Sequence, residues 1–322
     1  MLRLFQPGVL FVLVCAFFLG MSLPLNFDKP RFLTPTKKSY LETEEATDSA
    51  RQLYDNKLNK IDIPKNETDW FQQVPIEITT RFLPNELNEL NYSSSGILNV
   101  PKIFLEKVPV GLDELPVEQK KAIFIRFMLP LILKANQEIW GQRQDIIKAN
   151  NSSNKTALKS IAKAYKIDTD IMKSDDIYGW ANNHVLPIPT SLALAQAAIE
   201  SGWGTSRFSI EGNALFGQWS WSPQSGIKPL EASNSNAVVR SFPNLQSSVH
   251  SYMKNLNTHP AYKEFRTLRK SFINQGKWPD SVELATGLHP YAETGDHYVK
   301  SIINIISQNN LQRFDYSKLL IW

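Results

Sequence analysis

The chain has 322 residues, with 35 lysines and arginines against 31 aspartates and glutamates and a formal net charge of +4. Its single cysteine, Cys15, lies in an apolar N-terminal run, so the body of the protein has no disulfide and no thiol chemistry. The mildly basic balance is compatible with an anionic polymer, but no Lys/Arg cluster is interleaved with aromatics, and no nucleic-acid partner is expected.

Residues 1–25 read as a signal peptide or an N-terminal membrane anchor. After Arg3 the run from Leu4 to Asn26 carries no charge, and its most apolar part is Val9 to Leu19. The uncharged length approaches the roughly 20 residues that span a bilayer, while the apolar core is shorter, as in a signal peptide. The expected location is therefore the periplasm or cell envelope, by export or by anchoring in the inner membrane. Residues 26–115 are expected to form a tether and an irregular region: polar and aperiodic to about 70, with one short helix around Glu42 to Lys57, then loops or short extended pieces from Val74 to Pro109.

Helical periodicity gathers in residues 116–322, the expected main domain. Val117, Lys121, Phe124, Phe127, Met128, Leu131, Ile132, Ala135 and Ile139 recur at three and four, and Pro130 should kink this helix or divide it in two. Shorter helices are expected at about 155–165 and 176–183. The stretch Ser191 to Gly217 is the most informative. Ser191 is a good N-cap, the alanines at 193, 195, 197 and 198 favour a thin helix that others can pack against, and Gly202 and Gly204 end it. One carboxylate, Glu200, sits in the last turn beside Ile199 and Trp203. Desolvation and the negative end of the helix dipole both favour its protonated form, which is the condition of a general acid.

Beyond Gly217 the pattern changes. Gln218 to Ser222 and Ala237 to Phe242 alternate, with turn signals at 223–226 and 233–236, which predicts a small hairpin-like lobe. Helices resume at about 245–257, 260–270, 281–286 and 298–309. The fold class is mainly α (α+β), a helical body with a small β lobe.

The segment A-A-I-E-S-G-W-G-T-S-R-F followed by G-N-A-L-F-G resembles the glucosaminidase domain of glycoside hydrolase family 73, to which flagellar and autolytic peptidoglycan hydrolases belong. With Lys121 to Ile139 upstream and Tyr252 to Arg266 downstream, the last two hundred or so residues are also similar to the bacterial Bax-type proteins. The resemblance implies a lysozyme-like fold with a cleft between body and lobe, and an endo-β-N-acetylglucosaminidase cutting β-1,4 bonds in peptidoglycan glycan strands.

Cleavage of such a bond needs an acid for the leaving oxygen and a second group to handle the oxocarbenium-like transition state. Glu200 is the acid. The resemblance implies a second carboxylate on the lobe, where Glu231 falls in the window; Glu211, directly before Gly212-Asn213, reads as a loop-holding residue instead. A route without a second carboxylate uses the substrate's own N-acetyl oxygen with a tyrosine beside it. His289 to Tyr298 resembles the family's Y-A-T-D-P-x-Y signature and puts Tyr291 at that tyrosine, with a longer turn between. Trp219, Trp221 and Phe216 are candidate sugar-binding aromatics, Trp203 reads as core, and Asn213 matches a loop-fixing asparagine that supports the lobe. The five histidines form no metal-ligand spacing, and no phosphate-binding or nucleophile-elbow motif occurs, so no metal and no cofactor are expected. The other readings are a lytic transglycosylase and a non-catalytic wall-binding protein.

Overall fold

The computed structural model describes residues 71, 74–88, 90–93, 97–167, 174–230 and 237–320. The apolar N-terminal run, the short helix expected near 42–57 and Glu231 lie outside the described residues. Among the described residues no helix is long and apolar enough to cross a membrane. Elements are numbered in chain order.

The stretch ahead of the long helix supplies α1 (Ile76–Phe82), β1 (Asn91–Tyr92) and β2 (Leu98–Val100). β1 pairs antiparallel with β2, and β2 pairs parallel with β6 (Lys318–Leu319) near the other end of the chain. Leu87, Leu98, Val100 and Leu112 of this stretch share one core with the helices. The buried Arg126 fastens it: its guanidinium donates to Phe71 O at 2.8 Å and Leu87 O at 3.2 Å, because a buried cation needs acceptors.

Helix α2 (Val117–Asn151) runs for 35 residues through Pro130, so of the two outcomes expected there, a kink or a division, the helix is not divided. Proline in a helix interior costs about 3 kcal/mol. Against that, Ile123, Phe124, Ile125, Phe127, Met128, Leu129, Leu131 and Ile132 are all fully buried, at about 1.5–3 kcal/mol each. Packing on both sides of the proline decides the outcome. Helix α3 (Lys155–Ala164) starts on an Asn154 cap, and α4 (Ser174–His184) follows.

Helix α5 (Thr190–Ser201) is buried on every face from Thr190 to Ala198, so it is a core helix rather than an amphipathic one. It packs against α2, against α10 (Asp296–Gln308) and against the tight helical turn 311–316. Its start is capped from far away. Ser191, expected to act as N-cap, instead donates its backbone N–H and its hydroxyl to the two carboxylate oxygens of Asp315, each at 2.7 Å.

Helix α6 (Arg207–Gly212) leads into the lobe, a three-stranded antiparallel sheet of β3 (Trp219–Ser220), β4 (Gly226–Ile227) and β5 (Val238–Arg240) with β5 in the middle. Both segments picked out by alternation are in it, paired Trp219 to Val239 and Ser220 to Val238. Helices α7 (Leu245–Thr258), α8 (Lys263–Asn274) and α9 (Ser281–Ala285) complete the body, α7 and α9 with Asn244 and Asp280 as side-chain caps. The described residues form a mainly helical α+β arrangement with two small sheets.

Candidate active site

The end of α5 is built to hold one side chain at a rim. Gly202, Trp203 and Gly204 are three consecutive residues with left-handed backbone, at φ of 59°, 58° and 82°. Ser201 braces this turn, donating its hydroxyl to Ala197 O at 2.6 Å and accepting Gly204 N–H at 2.9 Å. A tryptophan in this conformation costs about 1–2 kcal/mol. Its ring offsets that cost by packing edge-on to Phe124 at 5.5 Å, so Trp203 belongs to the core contact that fixes the turn.

Glu200 lies immediately before this turn. The side chain is half-buried, and Oε1 is sealed from solvent with no hydrogen-bond partner. The chain folds back over it at Gly217, where φ is +58° and a Cβ would stand 2.8 Å from Oε2. Burial pushes the carboxyl up from 4.5 to about 7, and the hydrogen-bonding Tyr298 hydroxyl opposes this to a lesser degree.

Four tyrosines from separate elements lie within the field of Glu200: Tyr252 of α7, Tyr262 of the turn 260–262, Tyr291 of the turn 286–291, and Tyr298 of α10. Burial first, and the field of Glu200 among the further causes, raise all four phenols. Tyr291 and Tyr298 stack with parallel rings at 5.3 Å, and Tyr262 lies 5.9 Å from Tyr291. The Tyr291 hydroxyl donates to Phe216 O at 2.9 Å, which ties this wall to the loop over Glu200. Beneath it, Tyr252 donates to Gln196 Oε1 at 2.7 Å and Gln196 Nε2 donates to Tyr298 at 3.0 Å.

Phe216 is not at a substrate surface. It is 1% exposed and stacked on Tyr252 at 3.9 Å, because the Leu215-Phe216 pair is drawn into the body's core. Asn213 takes the left-handed conformation at the end of α6 and donates from Nδ2 to Phe242 O at 3.0 Å, while Phe242 N–H returns to Gly212 O at 2.8 Å. This two-way link fastens the segment after β5 to the end of α6. Glu211 points outward and pairs with Arg207 at 3.5 Å. On the lobe, Trp219 is half-buried and Trp221 is 61% exposed, so both indoles reach solvent.

Sequence reading did not single out Tyr252, Tyr298, Gln196 or Asp315. A signal existed for Gln196: it is the one polar residue between Leu192 and Ile199, one helical turn before Glu200. Asp315 is a second buried acid, pushed up to about 7 by burial against the hydrogen bonds from Ser191.

A stability prediction follows from the sign of these shifts. The folded chain holds a proton on Glu200 that the unfolded chain releases above about pH 4.5, so this contribution is present at low pH and is lost as pH rises to about 7. Glu200→Gln should therefore be little different from wild type in thermal unfolding near pH 4.5, and more stable at pH 8 by on the order of 3 kcal/mol. The buried His184, pushed down to about 3, titrates alike in both proteins, so their difference isolates Glu200. A difference that does not change with pH would contradict the buried-acid assignment.

Comparison with known proteins covers the same region of the chain. Residues 180–311, which include the acid helix, the lobe and the tyrosine-bearing elements, match the Glucosaminidase family model, described as mannosyl-glycoprotein endo-beta-N-acetylglucosaminidase. Protein bax of Escherichia coli (strain K12) is 29% identical over 215 residues, covering 64% of this chain and 73% of that protein. No solved structure matches. Residues 180–311 are thus similar to the glucosaminidases, a family of glycosidase-type enzymes, within a chain similar to Protein bax of Escherichia coli.

Proposed function

We propose that the protein is a peptidoglycan hydrolase of the cell envelope, exported or anchored in the inner membrane, that cleaves β-1,4 glycosidic bonds as an endo-β-N-acetylglucosaminidase. The observation that carries the reading is the Glu200 carboxyl, sealed at Oε1 and held near 7 at the rim of a tyrosine-walled site. Glu200 gives its proton to the leaving glycosidic oxygen as the bond to the anomeric carbon breaks. The N-acetyl oxygen of the same sugar then closes on the anomeric carbon, and water, deprotonated by the resulting Glu200 carboxylate, opens that ring to a new reducing end. The position of Tyr291 in the field of Glu200 supports this substrate-assisted route. In the alternative route Glu231 is the base that activates water. Trp219 and Trp221 offer solvent-reaching indoles for the apolar faces of sugar rings.

Mass spectrometry of fragments released from purified peptidoglycan by the full chain tests the reaction. Hydrolysis leaves N-acetylglucosamine reducing ends that borohydride reduces. Products one water lighter, resistant to borohydride, would instead make the protein a lytic transglycosylase. Binding to insoluble wall with no fragments released would make it a non-catalytic wall-binding protein.

A further inference from the structure

Gln196 lies fully buried in the middle of α5, one turn before the acid on the same helix. A glutamine in an apolar helix costs free energy unless both ends of its amide are satisfied. Here they are satisfied by two tyrosines from different elements, Tyr252 donating to Oε1 at 2.7 Å and Nε2 donating to Tyr298 at 3.0 Å. The directions have a consequence. An amide oxygen only accepts and an amide nitrogen only donates, so the order Tyr252, Gln196, Tyr298 runs one way. Tyr298 receives a hydrogen at its oxygen and keeps its own single hydroxyl proton for another acceptor. The acceptor that its hydroxyl faces is Glu200.

We propose that Gln196 is a positioning residue for the acid: by donating to Tyr298 it commits the Tyr298 hydroxyl proton to Glu200. The inference rests on Glu200 being the general acid. The groups facing Glu200 are the phenols of Tyr252, Tyr262, Tyr291 and Tyr298, which remain neutral through the working pH range because burial raises each. The hydrogen bond from Tyr298 favours the carboxylate, so it sets how far up the buried acid can go. Without Gln196 the Tyr298 hydroxyl turns elsewhere, the carboxylate loses its donor, and Glu200 holds its proton to higher pH.

The test is the pH dependence of the initial rate of fragment release from purified peptidoglycan by the full chain, for wild type, Q196M, Y298F, Y252F and Q196M/Y298F. Above the optimum, the wild-type rate falls as Glu200 ionises. Y298F and Q196M should each move that falling limb upward by about one pH unit, the size expected when a carboxylate loses a charge-assisted hydrogen bond. The double variant should move it no further than Y298F alone, because Gln196 acts through Tyr298. Y252F, which keeps its ring on Phe216 but frees the glutamine oxygen, should move it in the same direction by less. Lowered rates with the limb unmoved in Q196M and Y252F would mean the glutamine only packs, and additive shifts in the double variant would mean it does not act through Tyr298. Either result overturns the proposal. Should Q196M fail to fold, the Y252F and Y298F profiles carry the same decision. Failure of the acid assignment looks different: E200Q would then retain the wild-type rate and limb.

Discussion

Glu200→Gln should lower the rate of fragment release from peptidoglycan by about 10³-fold, within the range that positioned proton donors contribute. The amide keeps the size of the side chain and its place against Gly217, and has no acidic proton to give. Because Oε1 makes no hydrogen bond in the folded protein, the replacement breaks no existing contact there. Loss of activity together with undiminished thermal stability separates chemistry from folding. A rate within tenfold of wild type would remove Glu200 from the mechanism.

The second large effect is expected at a residue that does no chemistry. Gly217 has a left-handed backbone, and a Cβ there would come within 2.8 Å of Glu200 Oε2, closer than real contacts allow. The atom in the way is the end of a flexible side chain, so Gly217→Ala should displace the carboxyl rather than break the loop. Displacement of a catalytic group by about 1 Å costs on the order of 10²-fold in rate. The backbone penalty of a non-glycine residue at this φ is about 1–2 kcal/mol, so a modest fall in Tm should accompany the loss. An alanine variant with wild-type rate would mean that the carboxyl works from another position, away from the Gly217 loop.

Much of the architecture could be read in the chain because it follows local rules. The buried carboxyl was legible since α5 is an apolar core helix and Glu200 is the one carboxylate on it, and the lobe was legible from alternation on both sides of a turn. What was missed depends on partners distant in sequence. The cap of α5 lies 124 residues beyond Ser191, so a local N-cap rule placed the helix start two residues late and chose the wrong bond. Pro130 carries a strong local signal for a break, and the surrounding burial overrides it. Phe216 reads like a subsite aromatic next to the acid, yet its stacking partner Tyr252 is on α7. Of the four tyrosines only Tyr291 had a local motif to point to it, the rest coming from separate elements, and β6 pairs with a strand more than two hundred residues earlier, which no local pattern shows.

The physical picture joins these parts. A buried helix holds its carboxyl at a fixed rim and a glycine loop closes over one face of it, so burial keeps its proton near neutral pH while neutral phenols stand in its field. The Asn213 to Phe242 link ties the end of α6 to the chain leaving the lobe. Each part can be perturbed separately, which is why the pH dependence of the rate says more than its maximum.

The most direct measurement is the pH–rate profile of fragment release by the full chain, wild type beside E200Q, at equal protein and fixed ionic strength. The expected result is a wild-type rate that falls above about pH 7, as the buried carboxyl ionises, and an E200Q rate about 10³-fold lower that does not fall with it. A wild-type rate that is level from pH 6 to 9, or an E200Q rate that follows the wild-type curve, would contradict the assignment of Glu200 as the proton donor.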